Sequence, residues 1–460
     1  MKRRIAILGG GLAGMAAALR VAEAGEVPVL IETRQKLGGR ATSFRDPRTG
    51  DILDNCQHVV MGCCTNLLDF YEKVGVTELI EWHTETWWAN PPHEPDRMRP
   101  GLLPPPAHFQ GSFARMRFLD RPLKKAIARA MIAMIRMGFQ GRSAWSDRTF
   151  KDFLLEQKQP EEAIRLFWEV VVISACNLGV DQVGASFAIQ VFQEGFLGHR
   201  FGSAIGLATV PLSELYDPVE ALLQEAGGEL QLGTSVRGIS YDGRRISGVV
   251  TSDGLIDAAA VISAVPFDRL AKLCSEPLRQ ADRRLADLES LEVSPILGVH
   301  LFFETEVMTL PHLVLPGRGT HWFFNKGTDA SGQQHLHAVI SGADDWMDLD
   351  EATIVARVLE DLRWAQPRAR GLEPIGHRSV KEKRATFRAV PGVDRIRPSV
   401  EPGIGVPNLF LAGDWCRSGW PATMEGAVRS GYAAAAAAVG GPGVLPDLPI
   451  ALGPRLLGLR

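Results

Sequence analysis

Residues 5–14 read Ile-Ala-Ile-Leu-Gly-Gly-Gly-Leu-Ala-Gly, a short apolar run followed by a glycine-rich turn. Four apolar residues that end at glycine predict a buried parallel strand, and the Ala-, Met- and Leu-rich sequence to about Ala24 predicts a helix. Val27 to Glu32 predicts a second strand, which ends in an acid. Together these elements make one complete βαβ unit.

The glycines of this unit have the spacing of a dinucleotide-binding turn. In such a turn Gly9 permits the sharp bend, Gly11 lets the backbone approach a pyrophosphate, and Gly14 lets helix and strand pack closely. The phosphates then lie at the start of the helix, next to Leu12 and Ala13, where free N–H groups favour negative charge. We therefore expect these five residues to bind a cofactor.

Glu32 indicates which dinucleotide can bind. It lies about 20 residues beyond the glycines, at the end of the second strand, where a carboxylate accepts hydrogen bonds from ribose hydroxyls. A carboxylate at this position disfavours a 2′-phosphate and therefore NADP. The βαβ unit alone is compatible with both FAD and NAD.

Two further glycine motifs favour FAD. Gly38-Gly39-Arg40 follows the second strand closely, so flexible backbone and an arginine can reach the same pyrophosphate. Gly413-Asp414 ends a late strand, and a helix starts at Met424-Glu425-Gly426-Ala427, where its N-terminus can stabilise negative charge on a reduced flavin. A cofactor contacted from both ends of the chain must be long and extended, as FAD is.

The order of the predicted elements indicates an α/β fold with a discontinuous cofactor domain. A helix is predicted at 218–226 and strands at 229–232, 236–241, 245–251, 259–265 and 408–412. We predict a Rossmann-type FAD-binding domain formed by residues 1–84, 206–285 and 396–445. Residues 85–205 and 286–395 are richer in aromatic residues and less regular, and they predict an inserted α+β substrate-binding domain.

The composition gives no electrostatic case for a nucleic-acid partner. Net charge is −3 and the isoelectric point is about 6.4, whereas phosphate backbones need a concentrated positive surface. The six cysteines show no metal-ligand spacing, so we expect no metal and idle thiols in a reducing, cytoplasmic compartment. No apolar run approaches the roughly 18 residues of a spanning helix.

These motifs together resemble the large flavoprotein group that contains amine oxidases, carotenoid desaturases and protoporphyrinogen oxidase. In that group the segment around Val236 meets the adenine end of FAD, and the final Gly-Asp motif with its helix contacts the ribityl chain and flavin ring. The resemblance implies an oxidoreductase with non-covalently bound FAD. It covers nearly the whole chain and rests on GGGLAG at 9–14, LGGR at 37–40, TSVRGI at 234–239, AVISAVP at 260–266 and LAGDW at 411–415.

Two stretches are similar to the squalene-associated members of this group, the hydroxysqualene dehydroxylases. They are DNCQHVVMGCC at 54–64 and GWPATMEGAVRSG at 419–431. Cys56 stands where those members more often have glycine. This narrower resemblance implies reductive removal of the hydroxyl of hydroxysqualene, giving squalene for hopanoid synthesis. Hydride from reduced flavin N5 would quench the allylic carbocation left by the departing hydroxyl.

The same two stretches supply the candidate residues for chemistry and substrate binding. His58 is titratable and is a candidate acid for the departing hydroxyl; the alternative is a structural histidine bonded to backbone near the flavin. Asp54 is a second candidate, although orienting the loop suits it better. Gln57, Trp420 and Pro421 are expected to line the substrate pocket, and core packing would explain Trp420 equally well.

A lipophilic isoprenoid substrate implies contact with a membrane surface. Residues 121–142 contain apolar residues near helical spacing with basic residues among them, which is typical of a helix lying in the headgroup region. Gly101-Leu102-Leu103 adds an apolar loop. The alternative is an ordinary helix packed on the substrate domain. We expect a cytoplasmic protein, peripheral on the inner face of the cytoplasmic membrane.

Other functions remain open from the sequence. A polyprenoid desaturase of the same fold would move hydride in the opposite direction, and the sequence does not show that direction. Rab escort and GDP-dissociation-inhibitor proteins share the fold and carry lipidated partners, but the complete phosphate motif favours a working FAD site. An amine oxidase fits less well, because no aromatic cage is evident. No second GxGxxG motif follows strand-like sequence, so no NAD(P)H site is evident and the electron donor is unidentified.

Overall fold

The computed structural model describes residues 2–460 as strands, helices and connecting loops. In chain order the strands are β1 (Arg4–Leu8), β2 (Val27–Ile31), β3 (Ser43–Arg45), β4 (Ile52–Asp54), β5 (Val59–Met61), β6 (Ile80–His83), β7 (Thr86–Asn90), β8 (His93–Met98), β9 (Ile205–Ala208), β10 (Glu229–Gln231), β11 (Val236–Tyr241), β12 (Ile246–Thr251), β13 (Gly254–Asp257), β14 (Ala260–Ser263), β15 (Val293–Phe303), β16 (His312–Val314), β17 (Trp322–Thr328), β18 (Gln334–Ser341), β19 (Gly376–Phe387) and β20 (Leu409–Leu411). The α-helices are α1 (Leu12–Glu23), α2 (Thr65–Val74), α3 (Gln110–Arg115), α4 (Arg121–Gly141), α5 (Phe150–Glu156), α6 (Glu161–Ala163), α7 (Glu169–Cys176), α8 (Ala185–Gln190), α9 (Pro218–Glu225), α10 (Phe267–Leu273), α11 (Glu276–Ala281), α12 (Glu351–Ala365), α13 (Met424–Val439) and α14 (Leu452–Leu456).

A five-stranded parallel sheet holds the two ends of the chain together. Its order is β10-β2-β1-β14-β20, so strands from residues 4–31, 229–263 and 409–411 lie side by side. Helices α1 and α13 pack closely against each other, since a Cβ at Gly431 would overlap the carbonyl oxygen of Ala13. The predicted α/β fold class is confirmed, while the domain boundaries stay a prediction.

A seven-stranded sheet forms the second part of the molecule, in the order β19-β15-β18-β17-β16-β7-β8. One face is covered by α12, whose Ile354 and Val358 pack with Leu297 and Val299 of β15. Side chains alternate along a strand, so the intervening residues of β15 face the other way, toward the parallel-sheet part.

The strands predicted between 229 and 251 belong to two sheets. β10 joins the parallel sheet beside β2, whereas β11 and β12 form an antiparallel sheet with β13, a strand that sequence patterning did not show. Gly254 starts β13 with a φ of +128°, directly after the short turn that follows β12. The β13 sequence Gly-Leu-Ile-Asp is too short to carry a clear alternation.

Helix α4 corrects one expectation. Its apolar stripe is packed inside the protein, with Leu123, Ile127, Met134 and Ile135 buried. The alternative of an ordinary packed helix therefore holds for this stripe, which is not available for insertion into lipid. Among residues 2–460, no helix is long and apolar enough to cross a membrane.

Candidate active site

The turn between β1 and α1 leaves an open cradle beside Gly11. Gly9 has a φ of +99°, which an L side chain rarely adopts. A Cβ at Gly14 would overlap the carbonyl oxygen of Gly9, so α1 can lie this close only with glycine there. Within the described chain, a Cβ at Gly11 would meet a single atom within 4 Å, the Cα of Gly39 at 3.9 Å. A ligand can therefore approach the backbone of Gly11.

Glu32 is held rigidly beside this cradle. Its carboxylate accepts hydrogen bonds from the backbone N–H of Gly10 at 2.7 Å and of Arg34 at 2.8 Å. The N–H of Thr234 donates to the carbonyl of Glu32 at 3.1 Å, so the chain passes this point just before Val236. The position suits the predicted roles of Glu32 at a ribose and of Val236 near an adenine.

The second glycine motif stacks on the first. The N–H of Gly38 donates to the carbonyl of Gly10 at 2.9 Å, and a Cβ at Gly39 would lie 3.0 Å from the Cα of Gly11. Side chains at these positions would separate the two loops. The glycines therefore serve the packing of the cradle as well as access to it.

Arg40 joins the start of the chain to its other end. Its guanidinium forms an ion pair with Asp414 and donates to the carbonyl of Ala385 at 2.8 Å. Gly413 precedes that aspartate with a φ of +135°, and its N–H donates to the hydroxyl of Ser430 at 2.8 Å. Motifs that lie hundreds of residues apart in sequence therefore meet at one place.

Helix α13 starts at this place, but one of its predicted cofactor residues faces away. The carboxylate of Glu425 is fully buried and accepts hydrogen bonds from the N–H of Leu67 at 2.7 Å and of Asn66 at 3.2 Å, at the start of α2. It also forms an ion pair with Arg429 at 3.2 Å. The Glu425 carboxylate is therefore engaged with α2 and Arg429 rather than with a cofactor, while the cofactor contacts of Met424, Gly426 and Ala427 stay a prediction.

These features fit an extended dinucleotide. The open cradle at Gly11 suits a pyrophosphate, the fixed carboxylate of Glu32 suits a ribose, and the starts of α1 and α13 offer N–H groups for negative charge. The thiol of Cys416 lies in the same region but is buried, and burial raises its pKa. It is therefore not a reactive thiolate.

Residues 54–57 connect the cradle to the seven-stranded sheet. The carboxylate of Asp54 accepts hydrogen bonds from the hydroxyl of Ser43 at 2.8 Å and the N–H of Leu212 at 3.0 Å, which suits its expected role of orienting the loop. Lys326 lies 3.3 Å from the other Asp54 oxygen and donates to the side-chain oxygen of Gln57 at 3.2 Å. Sequence reasoning did not identify Lys326.

A cluster of histidines lies on the sheet face that covers these residues. His300 of β15 is the direct partner of His337 of β18, which is in turn the direct partner of Phe324 of β17. His335 lies two residues from His337 and shares its face. Lys326 lies in an irregular stretch of β17, and its contacts with Asp54 and Gln57 show that its side chain reaches the same face. One face of the sheet therefore presents imidazoles, an ammonium group and an aromatic ring together.

Hydrogen bonds define the tautomers of two of these imidazoles. The Nε2 of His300 is 2.9 Å from the carbonyl oxygen of Asp54, so it carries the proton and donates. Its Nδ1 must then accept from the Nε2 of His335, also at 2.9 Å. Both rings are neutral in this arrangement. Burial lowers the pKa of His300 to about 4 and that of His335 to about 3, which agrees with this assignment.

His337 has a different environment. Its ring is fully buried and stacks on that of His300 with centroids 3.9 Å apart. Across residues 2–460, neither of its ring nitrogens has a hydrogen-bonding partner. Gly298 makes room for the ring, since a Cβ there would lie 2.7 Å from Nε2 of His337 and 3.2 Å from the carbonyl oxygen of Asn55. Burial lowers the pKa of His337 as well.

His58 takes the structural alternative rather than the role of an acid. Its Nδ1 lies 3.1 Å from the carbonyl oxygen of Cys56 and must donate to it. Burial lowers the pKa of His58 below the usual value of 6.5, so the ring is neutral near pH 7 and its Nε2 is an acceptor. A neutral imidazole with this hydrogen bond is a poor proton donor, which argues against His58 as the catalytic acid.

Trp420 also takes its structural alternative. Its side chain is 7% exposed, and the guanidinium of Arg429 lies 5.5 Å from its ring centroid. Its carbonyl accepts a hydrogen bond from Arg397 at 2.9 Å, and Arg397 also donates to the carbonyl of Asp414 at 3.1 Å. This buried arginine, which the sequence did not single out, fixes the loop from 414 to Pro421. Pocket roles for Gln57, Trp420 and Pro421 stay predictions.

The buried histidines predict acid-sensitive stability. Burial lowers the pKa of His300, His312 and His321 to about 4, from 6.5 in the unfolded chain. Between these values the unfolded chain binds protons that the folded chain does not, so stability falls as pH falls from 6.5 toward 4. At pH 5 we expect a loss of roughly 1–2 kcal/mol per histidine. Thermal melting from pH 7.5 to 5 should show a steadily lower midpoint.

A pair of variants tests this assignment. His321→Asn keeps an acceptor for the N–H of Ser341, which His321 Nδ1 accepts at 3.1 Å, but removes the titration. It should flatten the pH dependence of the melting midpoint. The exposed His93→Asn should leave the slope unchanged. Equal slopes in all three proteins would contradict the histidine account.

Comparison with known proteins places this geometry among flavoproteins. The sequence model described as flavin containing amine oxidoreductase matches residues 12–439. The 15-cis-phytoene desaturase of Synechococcus elongatus is 25% identical over 461 residues, covering 95% of this chain and 96% of that protein. A zeta-carotene desaturase of Zea mays is 26% identical over 480 residues, covering 94% and 82%. An oxidoreductase from Methanosarcina mazei superposes with a TM-score of 0.71 at 19% identity, covering 92% and 98%.

Proposed function

The chain belongs to the family of flavin-containing amine oxidoreductases, with FAD as its cofactor, and from this premise we propose that it desaturates an acyclic isoprenoid. The reaction would remove a hydride and a proton from neighbouring carbons of a lipophilic polyprenoid. The observation that carries the proposal is the similarity to phytoene desaturase over nearly the full length of both chains.

The surroundings of the histidine cluster support an apolar substrate. Cys56, Ile205, Leu207, Phe324 and Val339 form a separate apolar cluster beside residues 54–58. The neighbouring imidazoles are neutral at physiological pH, since burial lowers their pKa values. An apolar wall beside neutral imidazoles suits a hydrocarbon chain, and the charged groups of the site, Lys326 and Asp54, are paired with each other.

This chain's own residues would manage the proton. Bound FAD accepts or supplies the hydride. We propose His337 as the proton acceptor in desaturation, because its ring is neutral and both ring nitrogens lack a partner within residues 2–460. Its ring has no exposed surface, so the substrate must displace side chains that cover it. The ammonium of Lys326, held by Asp54 and Gln57, can supply a proton to a leaving oxygen. His337 would therefore serve desaturation, in which hydride leaves the substrate, and Lys326 would serve reductive dehydroxylation, in which hydride enters it.

A second candidate is reductive dehydroxylation of hydroxysqualene to squalene. It is favoured by the motifs at 54–64 and 419–431, which resemble the squalene-associated members of the group. The first motif contributes Asp54 and Gln57, which hold Lys326 at 3.3 and 3.2 Å. An ammonium group in this position is a proton donor that removal of a hydroxyl requires and a desaturation does not.

Two anaerobic reactions with the purified flavoprotein decide between these functions. In the first, the oxidised protein receives phytoene and a quinone acceptor, and the lipid extract is analysed for longer conjugated polyenes. In the second, the photoreduced protein receives hydroxysqualene, and the flavin absorbance and the extracted squalene are followed together.

We expect polyene formation in the first reaction. Recovery of the oxidised flavin band with formation of squalene in the second would instead establish the dehydroxylase. A protein that leaves both lipids unchanged would overturn the assignment to isoprenoids, and the lipid-carrier alternative would then be tested by binding of the same lipids without turnover.

A further inference from the structure

Two separate segments expose large leucines at one end of the molecule. Leu102 is fully exposed in the loop before α3, and Leu103 is 48% exposed beside it. In α14 and just after it, Leu452, Leu456 and Leu457 are 70%, 77% and 57% exposed. We refer to these five residues as the leucine face. Other exposed apolar residues occur singly in sequence, such as Ile404, or as a cross-strand pair, Val250 and Leu255, which is ordinary for a protein surface.

Contacts between the segments hold the leucine face together. The backbone of Gly453 lies directly against the carbonyl of Pro105, leaving no room for a Cβ. The N–H of Ala451 donates to the carbonyl of Gly198 at 2.9 Å, and Arg200 donates to the carbonyl of Leu103 at 3.4 Å. The loop carrying Leu102 and the helix carrying Leu452 are therefore neighbours in space as well as similar in exposure.

Helix α4 borders the same surface. The carbonyl of Arg460 accepts a hydrogen bond from the N–H of Phe139 at 3.4 Å. Gly138 interrupts the helix with a φ of +67°, and a Cβ there would lie 3.1 Å from the carbonyl oxygens of Gly458 and Arg460. The segment after α14 thus packs into the interruption near the end of α4.

The charge around the leucine face has one sign. Residues 97–119, 121–146, 195–213 and 448–460 contain no aspartate or glutamate, although the whole chain has a net charge of −3. The basic side chains of these segments that are at least partly exposed on α4, the 198–201 loop and the α14 segment are Arg121, Lys124, Lys125, Arg129, Arg136, Arg200, Arg455 and Arg460. These segments carry exposed leucines and an excess of cations, with Asp120 and Asp447 just outside them, and this combination complements an anionic lipid bilayer.

We propose that the leucine face docks on an anionic lipid bilayer, with its leucines among the acyl chains and the basic residues of α4, Arg200 and Arg455 at the headgroups. The membrane contact lies at the loop 101–106 and α14, whereas the apolar stripe of α4 remains in the protein interior. A nucleic acid would use the cations but would leave the leucines in water. Docking of the leucine face on lipid does not depend on which isoprenoid is the substrate.

Sedimentation of the FAD-loaded protein with vesicles tests the proposal. Phosphatidylcholine vesicles that contain phosphatidylglycerol should bind the protein, and binding should weaken as salt increases because the headgroup contacts are screened. The double variant Leu452→Ser/Leu456→Ser should bind these vesicles at least 10-fold more weakly, since each leucine loses apolar contact with lipid. Lys125→Gln/Arg129→Gln should reduce the preference for phosphatidylglycerol.

A matched control uses Ile404 and Leu255, which are 88% and 60% exposed and lie outside the leucine face. The variant Leu255→Ser/Ile404→Ser should bind vesicles like the unmodified protein. All variants should keep their flavin absorbance and melting temperature, because the exchanged side chains are exposed. Unchanged vesicle binding by the double leucine variant would overturn the proposal, as would binding of a short RNA duplex with equal affinity.

Discussion

A protein with Gly11 replaced by alanine should fold and yet be purified largely without FAD. The added Cβ would point into the open cradle, where, among residues 2–460, the nearest atom is the Cα of Gly39 at 3.9 Å. The folded chain therefore has room for the methyl group. A pyrophosphate in contact with this backbone has no such room, and overpacking of a close contact costs about 1–3 kcal/mol. We expect FAD binding to weaken by roughly 10- to 100-fold.

The ratio of flavin absorbance to protein and a titration of the apoprotein with FAD measure this effect directly. Gly111→Ala is the matched control, because a Cβ there would meet only the guanidinium of Arg115, at 3.9 Å, on the surface helix α3. That variant should keep its FAD. Full flavin content in Gly11→Ala would show that the pyrophosphate does not lie at this turn. If the apoproteins of both variants melted at a lower temperature than the unmodified apoprotein, the loss of flavin would instead point to a folding defect.

The cradle was accessible to sequence reasoning because its geometry is local. Gly9, Gly11 and Gly14 lie within one turn, and the strand and helix around them follow from short-range patterns. The structure bounds α1 at Leu12–Glu23 and β2 at Val27–Ile31, within a residue of the predicted elements. The late motif at 413–414 was also recognisable, although its meeting with Arg40 depends on the pairing of β14 with β20.

The histidine cluster was not accessible in this way. His300, Lys326 and His337 lie in three different strands, and only the register of β15, β17 and β18 brings them to one face. A single sequence gives no information on that register. The spacing of His335 and His337 is a weak signal, since residues two apart in a strand share a face, but it does not identify their partners.

Distinctive motifs also contain residues that hold loops. His58 and Trp420 both lie in such motifs, and each makes the contacts that its structural alternative predicts, at the carbonyl of Cys56 and with the guanidinium of Arg429. A motif can be distinctive because a loop needs a particular conformation. Arg397, which donates to the carbonyls of Asp414 and Trp420, has this role and stands in an unremarkable stretch of sequence.

Substituting His337 should produce the largest loss of turnover. A buried imidazole with no hydrogen-bonding partner costs free energy, so stability alone does not explain its presence. Its neighbours connect the histidine cluster to the segment around Arg40. Gly298 lies between its ring and the Asn55 segment, since a Cβ there would lie 2.7 Å from Nε2 of His337 and 3.2 Å from the carbonyl oxygen of Asn55. The side chain of Asn55 donates to the carbonyl of Arg40 at 2.6 Å, so this segment leads toward the cofactor cradle.

We expect His337→Leu to retain FAD and melting temperature while turnover falls about 100-fold or more, the usual contribution of a positioned acid or base. Leucine is similar in volume, and no hydrogen bond within residues 2–460 is lost. His337→Gln should be equally slow, because an amide does not carry protons at neutral pH. If only the size and shape of the side chain at position 337 mattered, at least one of these two variants would keep its turnover.

His108 provides the matched control for this experiment. It is also buried, at 1% exposed, and in the described chain both of its ring nitrogens are likewise unpaired, but it lies in the loop before α3. His108→Leu should therefore keep its turnover with detergent-solubilised substrate. Equal losses in the two variants would mean that buried imidazoles support the fold in general. A loss confined to position 337, with FAD bound, would show that the His337 imidazole contributes to turnover beyond its packing, as the proposed proton transfer requires.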